Sequence, residues 1–321
     1  MRTWAALLLP LALAAQDPLA ALPSFPRPAP ALEAVPLATE TLAPGVRMER
    51  GRRVELDGAI VIDRGPPDGL EVFACLQGGK THETLIQLTI GQGALVKAAV
   101  LAAFGWPDGQ PAKESVGVPA RGVPVRLRVA WEDPVDHQPR LVDASSLVRD
   151  RITDAAYPAL PWIWTGSHFE TIRQAGPDGT VTAREQFMLE VTRSVAVNFD
   201  EADALIASPF PGSDTDQRFE ANSRICPPVG TPVRLLIEPV ALPLTLVLAA
   251  DGSLRHGEVI VDDPALALLL TKAYGPGQIL RAFAVRTEAG TDRTVDVAAR
   301  RRLLAVAAQA KVWVVPVFTL R

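Results

Sequence analysis

The sequence predicts an α+β fold that combines a sheet-dominated N-terminal α+β domain with a small C-terminal β-β-α-β-α-β domain. Short β-rich runs separated by turn residues fill most of residues 47–240, which is typical of antiparallel sheets. One long apolar run at 93–105 has the length of a helix and interrupts them. From residue 241 to 321, strand-like and helix-like segments alternate, and so small a domain must use both helices to cover one face of its sheet.

The first 14 residues have the pattern of a secretory signal peptide. Arg2 supplies a positive charge, residues 4–15 form an apolar run, and an A-x-A cleavage pattern ends at Ala14. The run is shorter than the roughly 20 residues that a membrane-spanning helix needs. We therefore expect an extracytoplasmic protein, periplasmic or secreted, whose mature chain begins near Ala15 and has no integral membrane segment. An uncleaved N-terminal anchor is the alternative.

Residues 15–46 differ in composition from the rest of the chain. Seven prolines fall in this stretch, and its apolar residues show no periodicity. Proline-rich segments of this kind favour an extended backbone without internal hydrogen bonds. The sequence therefore predicts an extended linker between the signal peptide and the first folded domain.

Two helices are predicted within the first domain. The run at 93–105 is apolar on nearly all sides except at Lys97, so we expect it to pack against the sheet and to end at Gly105. A second, short helix is predicted at 201–207, with Asp200 as its N-cap. The strands around them are predicted in VELDGAIVID, GLEVFACLQ, THETLIQLTI, VPVRLRVAWED, LPWIWTGSHFE, QFMLEVTRSVAVNF and TPVRLLIEPV.

The second domain shows equally clear start and stop signals. Asp263 is a helix N-cap followed by Pro264 at the first helical position, and Gly275 ends that helix. A boundary between the domains is predicted near residues 239–243, where two prolines interrupt the pattern. The predicted elements are strand 244–250, strand 258–261, helix 263–274, strand 279–285, helix 295–310 and strand 312–318.

Composition and charge exclude several classes of function. A net charge of −4 and a pI near 5.7 give no electrostatic footprint for DNA or RNA, so we expect no nucleic-acid partner. The spacings of zinc sites, phosphate-binding loops and nucleophile elbows do not occur, so no metal and no cofactor are expected. The two cysteines, Cys75 and Cys226, either form a disulfide, which export permits, or remain separate thiols.

Residues of about 54–240 resemble the YdjY-like domain family. The resemblance is carried by LEVFACLQGGKTHETLIQL, ALVKAAVLAAFGWPDGQ, VPVRLRVAWED, WIWTGSHF and NSRICPPVGTPVRLLIEP. Its most specific parts are the CLQGGKTHE block at 75–83 and the Trp-x-Trp-x-Gly-Ser block at 162–167. The resemblance implies a YdjY-like domain and no particular reaction.

Residues of about 242–320 resemble the periplasmic domain of the ExbD/TolR biopolymer-transport family. The similarity lies in LPLTLVLAADGSL, in DDPALALLLTKA and in the last helix and strand. The chain departs from that family because no transmembrane helix and no intramembrane aspartate precede the domain. The resemblance therefore does not imply ion-driven force transduction. It implies a C-terminal module that binds a partner or pairs with a second copy of itself.

The block at 75–83 contains the first candidate site. Its Gly-Gly pair favours a two-residue hairpin turn, because both central positions of such a turn need positive φ. The register would then place Cys75 opposite His82, with Lys80 at the tip. Glu83 would point to the other face and could not easily orient His82. A thiol beside an imidazole is the minimal pair for nucleophilic catalysis or for two metal ligands, but the apolar surroundings favour a structural role.

The second candidate site is a stripe of aromatic and imidazole side chains. Trp162, Trp164 and His168 would lie on one face of a predicted strand. Two tryptophans on one face form either a stacking platform for a sugar or aromatic ligand or, more often, part of a core. Ser167 would point away from His168, so the two do not form a catalytic pair. The candidate binding or polar residues are Cys75, Lys80, His82, Glu83, Trp162, Trp164 and His168.

These observations favour an exported, non-catalytic binding or envelope-assembly protein. Its partner would be a protein, another envelope component or a second copy of the chain. The alternative is an exported enzyme that uses Cys75 and His82, together with His168. A surface-exposed Cys75 with a depressed pKa would favour the enzyme, and a buried, inert Cys75 would favour the binding protein.

Overall fold

The computed structural model describes most of the chain after the predicted signal peptide. The described residues are 30–66, 68–111, 118–157, 159–175, 181–199, 201–210, 213, 217–274, 281–312 and 314–319. The predicted signal peptide and residues 15–29 of the predicted linker lie outside them.

The described chain forms a barrel unit, residues 30–240, and a C-terminal unit, residues 241–319. The elements of the barrel unit are β1 (Glu40–Ala43), β2 (Val46–Glu49), β3 (Arg53–Ile60), β4 (Val72–Cys75), β5 (Thr84–Leu88), α1 (Gly93–Phe104), β6 (Val123–Glu132), β7 (Pro139–Asp143), β8 (Val148–Asp150), β9 (Ala155–Ala156), β10 (Trp162–Trp164), β11 (Phe169–Ala175), β12 (Val181–Phe187), α2 (Leu189–Thr192), β13 (Ser194–Val197), β14 (Ile206–Ala207), β15 (Phe219–Ala221) and β16 (Pro232–Pro239). Those of the C-terminal unit are β17 (Thr245–Leu248), β18 (Leu254–His256), β19 (Val259–Ile260), α3 (Asp263–Tyr274), β20 (Arg281–Thr287), α4 (Arg293–Gln309) and β21 (Val314–Thr319).

Eight strands of the barrel unit close into a ring. In hydrogen-bonded order they are β3, β16, β6, β10, β14, β13, β4 and β5. The ring closes where β5 pairs antiparallel with the end of β3, at Gly58–Leu88 and Ile60–Ile86. Because every strand of the ring has two neighbours, the sheet forms a closed barrel.

Side chains alternate between the inside and the outside of the barrel along its long strands. On β3, Val54, Leu56 and Ile60 are buried in the main apolar core. Glu55 and Asp57 lie between them in sequence, point to the other face and accept hydrogen bonds from an arginine. β6 and β16 show the same alternation, so the barrel has a packed apolar interior and an outer face rich in ion pairs.

A short extended segment, residues 30–38, crosses the outer face of the barrel, and we call it the strap. Ala31 and Leu141 of β7 exchange two backbone hydrogen bonds of 3.0 Å each. Val35 joins a small apolar cluster that contains Leu141 and Leu236 of β16. Part of the stretch predicted to be a linker is therefore packed against the barrel.

The C-terminal unit is a five-stranded sheet with two helices on one face. The strand order is β19, β18, β17, β20, β21, and the last three strands are parallel. Leu266 and Leu270 of α3 and Leu303 and Val306 of α4 form a core with that face. The helices thus cover one side of the sheet, as a sheet of this size requires.

The other face of this sheet packs against the barrel. Ala282, Val315 and Val317 belong to the main core of the barrel unit. At the edge of the sheet, the backbone N–H of Gly122 donates to the carbonyl of Phe318 at 3.1 Å. The two units therefore share apolar core and backbone hydrogen bonds.

The first helix of the barrel unit has a recognisable end and one exposed face. α1 ends at Gly105, whose φ of 64° and N–H bond to the Leu101 carbonyl close the last turn. Leu101 is 42% exposed, so α1 has one solvent face and is not enclosed as its composition suggested. No helix in the described part of the chain is long and apolar enough to cross a membrane.

The predicted α+β class, with its sheet-dominated α+β domain and its β-β-α-β-α-β domain, is wrong. Strands make up 39% and helices 19% of the structure, and its described residues form a closed eight-stranded barrel and four short α-helices. The prediction failed because ring closure depends on pairing between distant strands, which local periodicity does not report. The predicted helix at 201–207 is also wrong, since the described residues 201–205 form turns and bends and β14 starts at Ile206.

Candidate functional site

The CLQGGKTHE block does not form the predicted hairpin. β4 and β5 pair in parallel, so the chain between them, residues 76–83, crosses over as a loop. Cys75 consequently lies opposite Gln87 of β5 on one side and Ser194 of β13 on the other. His82 belongs to the crossover loop and is not the cross-strand neighbour of Cys75.

Cys75 is enclosed beneath this loop. Its side chain is fully buried, and burial raises the pKa of the thiol although a hydrogen bond with Thr84 opposes the shift. A Cβ atom on Gly79 would lie 2.9 Å from the Cβ of Cys75, so the loop packs directly on the thiol. A protonated thiol without access to solvent is not a nucleophile.

The loop carries a chain of ion pairs on its outer side. Lys80 Nζ lies 3.2 Å from Glu83 Oε1 and 3.9 Å from Glu201 Oε2. His82 is 80% exposed, and its Nε2 lies 3.7 Å from Glu83 Oε2. The expectation that Glu83 points away from His82 fails because both residues lie on a loop, where strand alternation does not apply.

Two carboxylates from the loop between β13 and β14 extend this chain. Burial raises the pKa of Glu201, and the charge of Lys80 partly opposes the shift. Burial also raises the pKa of Asp203, against the influence of His168. The Nε2 of His168 lies 3.7 Å from Asp203 Oδ1. We call this set the loop cluster: Lys80, His82, Glu83, His168, Glu201 and Asp203.

Two members of the loop cluster were missed by sequence reasoning. Glu201 and Asp203 fall in the stretch predicted to be a helix, where they would have been ordinary surface positions. The available signal was the acidic run DEAD at 200–203, directly before an apolar strand. An acidic run alone does not tell which cation lies beside it, because Lys80 is more than a hundred residues away in the chain.

The two tryptophans lie apart from the loop cluster, in the core. Trp162 and Trp164 are 2% and 0% exposed. The ring of Trp162 packs 5.6 Å from that of Phe73 and 5.9 Å from that of Tyr157, between ring centroids. Neither indole offers an open face for stacking a ligand. The structure therefore brings Lys80, Glu83 and His168 into the loop cluster and buries both tryptophans in the main apolar core.

The loop cluster combines three carboxylates with one lysine and two imidazoles. Within the described residues, no group of three or more His, Cys, Asp and Glu side chains is placed to hold a metal ion. Cys75 and Cys226 are both free, and burial raises the pKa of Cys226 to about 12. Both thiols are therefore held in the protonated form, which is not the nucleophilic one.

The resemblances to the YdjY-like and ExbD/TolR families remain predictions from the residues that carry them. The barrel and the C-terminal sheet describe an architecture and do not name an activity. Comparison with known proteins assigns no relative, because no protein-family model, no curated protein and no solved structure matches the chain.

Proposed function

We propose that this protein is an exported, non-catalytic binding or envelope-assembly protein. The observation that carries the proposal is the burial of Cys75. The rival enzyme needs a solvent-accessible thiolate beside an imidazole. Cys75 is instead fully buried with a raised pKa, and His82 is a largely exposed loop residue paired with Glu83. The geometry therefore favours a protein that binds over one that forms a covalent intermediate.

The proposed extracytoplasmic location rests on the N-terminal sequence pattern. Arg2, the apolar run at 4–15 and the A-x-A motif together indicate export. N-terminal sequencing of the protein from its native cell should give a chain that begins at or near Ala15. Recovery of intact Met1 from a cytoplasmic fraction would contradict the export proposal.

Thiol labelling tests the non-catalytic proposal directly. The Cys226→Ala variant leaves Cys75 as the only thiol, and N-ethylmaleimide should modify it only as fast as the protein unfolds. His82→Ala in the same background should leave that rate unchanged. Rapid native-state labelling that slows in the His82→Ala variant would support the enzyme and contradict the proposal.

A further inference from the structure

A cleft of about 550 Å³ lies on the barrel beside the strap. One wall is formed by strap residues 33–35, and the rest by β3, β6, β7, β16, the turn between β6 and β7, and Thr89 after β5. Its volume falls within the usual range of small-molecule sites. The cleft is distinct from the loop cluster, because no residue of the loop cluster lines it.

Strand register shows which side chains form the floor of this cleft. Arg234 of β16 lies opposite Asp57 of β3 and opposite Ala130 of β6. Directly opposite residues of antiparallel strands point to the same face, so these three share the outer face of the barrel. Glu132 lies two residues beyond Ala130 on β6 and therefore points to the same face. Its Oε1 lies 3.1 Å from the Nδ1 of His137.

The charges of Asp57, Arg140 and Arg234 in the cleft are already compensated within the chain. An ionic ligand would have to compete with these internal partners and leave one of them without a counter-charge. Three ionisable lining residues have an ion-pair partner: Asp57 with Arg47 at 2.8 Å, Arg234 with Glu55 at 3.3 Å, and Arg140 with Asp133 at 3.5 Å. The carboxylate of Glu132 lies 3.1 Å from the imidazole of His137, which is charged only when it is protonated.

Paired charged groups still have hydrogen-bonding capacity. A carboxylate offers about four lone-pair sites and a guanidinium five N–H donors, more than these pairs use. Between them the cleft has apolar surface from Val35, Ala130, Pro139 and Pro232. Hydroxyl groups can use the remaining donors and acceptors, and a hydrocarbon face can lie against the prolines. A sugar ring combines these two features.

We propose that the strap-walled cleft binds a neutral carbohydrate. The assignment deepens the proposed function, on which it rests, by giving the binding protein a site and a ligand class. It also gives the predicted linker a role, since the strap supplies one wall. The wall is held by Val35, which is 9% exposed, packs with Leu236 and accepts a hydrogen bond from Arg234 at its carbonyl.

The strap offers a matched pair of variants. Val35→Asp puts a charge into the apolar cluster and should detach the wall, whereas Leu37 is 60% exposed, so Leu37→Asp makes the same chemical change on the solvent side. Glu132→Gln is a second cleft variant at a side chain that is 70% exposed, which keeps the barrel intact. Glu40→Gln, at an exposed pair outside the cleft lining, is its control.

Titration calorimetry on the full mature chain tests the proposal with maltotetraose, cellotetraose and chitotetraose as neutral probes, and with inorganic phosphate and spermidine as ionic ones. At least one neutral probe should bind at concentrations up to roughly 10 mM, within the weak range of small-ligand affinities. Val35→Asp should weaken that binding at least about tenfold and Glu132→Gln at least about threefold, while Leu37→Asp and Glu40→Gln stay within about twofold of the wild type.

Three outcomes would overturn the carbohydrate assignment. They are no binding of any neutral probe, binding of only phosphate or only spermidine, and neutral-probe binding that neither cleft variant weakens. These outcomes are separable from a failure of the proposed function. If Cys75 is inert in the labelling experiment and no saccharide binds, only the carbohydrate assignment is contradicted. If Cys75 is reactive, the non-catalytic proposal itself is contradicted.

Discussion

The guanidinium of Arg121 donates from Nε and Nη2 to the two carboxylate oxygens of Asp296, at 2.6 and 2.8 Å. Arg121 precedes β6 in the barrel unit, and Asp296 lies in the first turn of α4 in the C-terminal unit. Their side chains are 5% and 0% exposed. Arg121 also donates to the Thr291 carbonyl at 3.2 Å, so this pair fixes how α4 sits against the barrel.

Breaking this pair from one side should be costly. Arg121→Met leaves the buried carboxylate with Arg293 alone, whose Nε lies 3.5 Å away, and should lower the free energy of unfolding by about 3 kcal/mol, measured by urea denaturation. Adding Asp296→Leu removes the undercompensated charge and should recover part of the loss, because Arg293 keeps its hydrogen bonds to Gln110, Pro111 and Pro119. Arg126→Met is the control, since Arg126 pairs with Asp143 at 50% exposure and should cost no more than about 1 kcal/mol. Equal losses for the two arginine variants would contradict the prediction.

A buried carboxylate under the strap should behave in the same way. Glu55 is fully buried and lies 3.3, 2.9 and 3.3 Å from guanidinium nitrogens of Arg47, Arg53 and Arg234. Glu55→Gln keeps the shape but leaves these arginines undercompensated, so unfolding should require about 3–5 kcal/mol less free energy. Glu40→Gln, at an exposed pair, should change it by no more than about 1 kcal/mol. The prediction fails if thermal and chemical denaturation cannot distinguish the two variants.

The crossover loop should depend on Thr84 and not on His82. The hydroxyl of Thr84 is buried and donates to the Lys80 carbonyl at 2.6 Å, which anchors the loop to β5. Thr84→Val should therefore lower the free energy of unfolding by about 1 kcal/mol. His82→Ala removes an exposed side chain and should change it by no more than about 0.5 kcal/mol. A larger loss for His82→Ala than for Thr84→Val would show that the imidazole has a structural role that its exposure hides.

Local signals in the sequence located the three long helices, α1, α3 and α4, but not the short helix α2. The predicted helix at 93–105 is observed at Gly93–Phe104, and the one predicted to be capped at Asp263 is observed at Asp263–Tyr274. The last helix, predicted at 295–310, is observed at Arg293–Gln309. Caps and apolar runs act within a few residues, so one sequence contains the information needed to find these ends.

Strand pairing was the part that local signals could not provide. The Gly-Gly pair at 78–79 satisfies the composition of a hairpin turn, yet β4 and β5 are parallel, and they pair on their other sides with β13 and β3. This one difference separates Cys75 from His82. It also explains why Glu201 was missed, since its partner Lys80 comes close only through the crossover loop.

The last prediction concerns how stability depends on pH through Glu201. Burial raises its pKa above the ordinary value of 4.5, so the folded protein binds this proton more readily than the unfolded chain does. The stability contributed by this group is then fully present below 4.5 and is lost as the pH rises through the raised pKa of the folded state. Glu201→Gln does not titrate, so the wild type should lose free energy of unfolding relative to this variant as the pH increases from about 4 to 8.

Lys80 provides the internal check on this assignment. Its charge partly offsets the effect of burial on Glu201, so Lys80→Met should raise the pKa of Glu201 further. The difference in free energy of unfolding between Lys80→Met and Lys80→Met/Glu201→Gln should therefore grow with pH. It should grow more steeply than the same difference between the wild type and Glu201→Gln. Urea denaturation of the four proteins across this pH range measures both differences. Curves that stay parallel would mean that Glu201 titrates alike in the folded and unfolded states, and a reversed slope would mean that ion pairing with Lys80 outweighs burial.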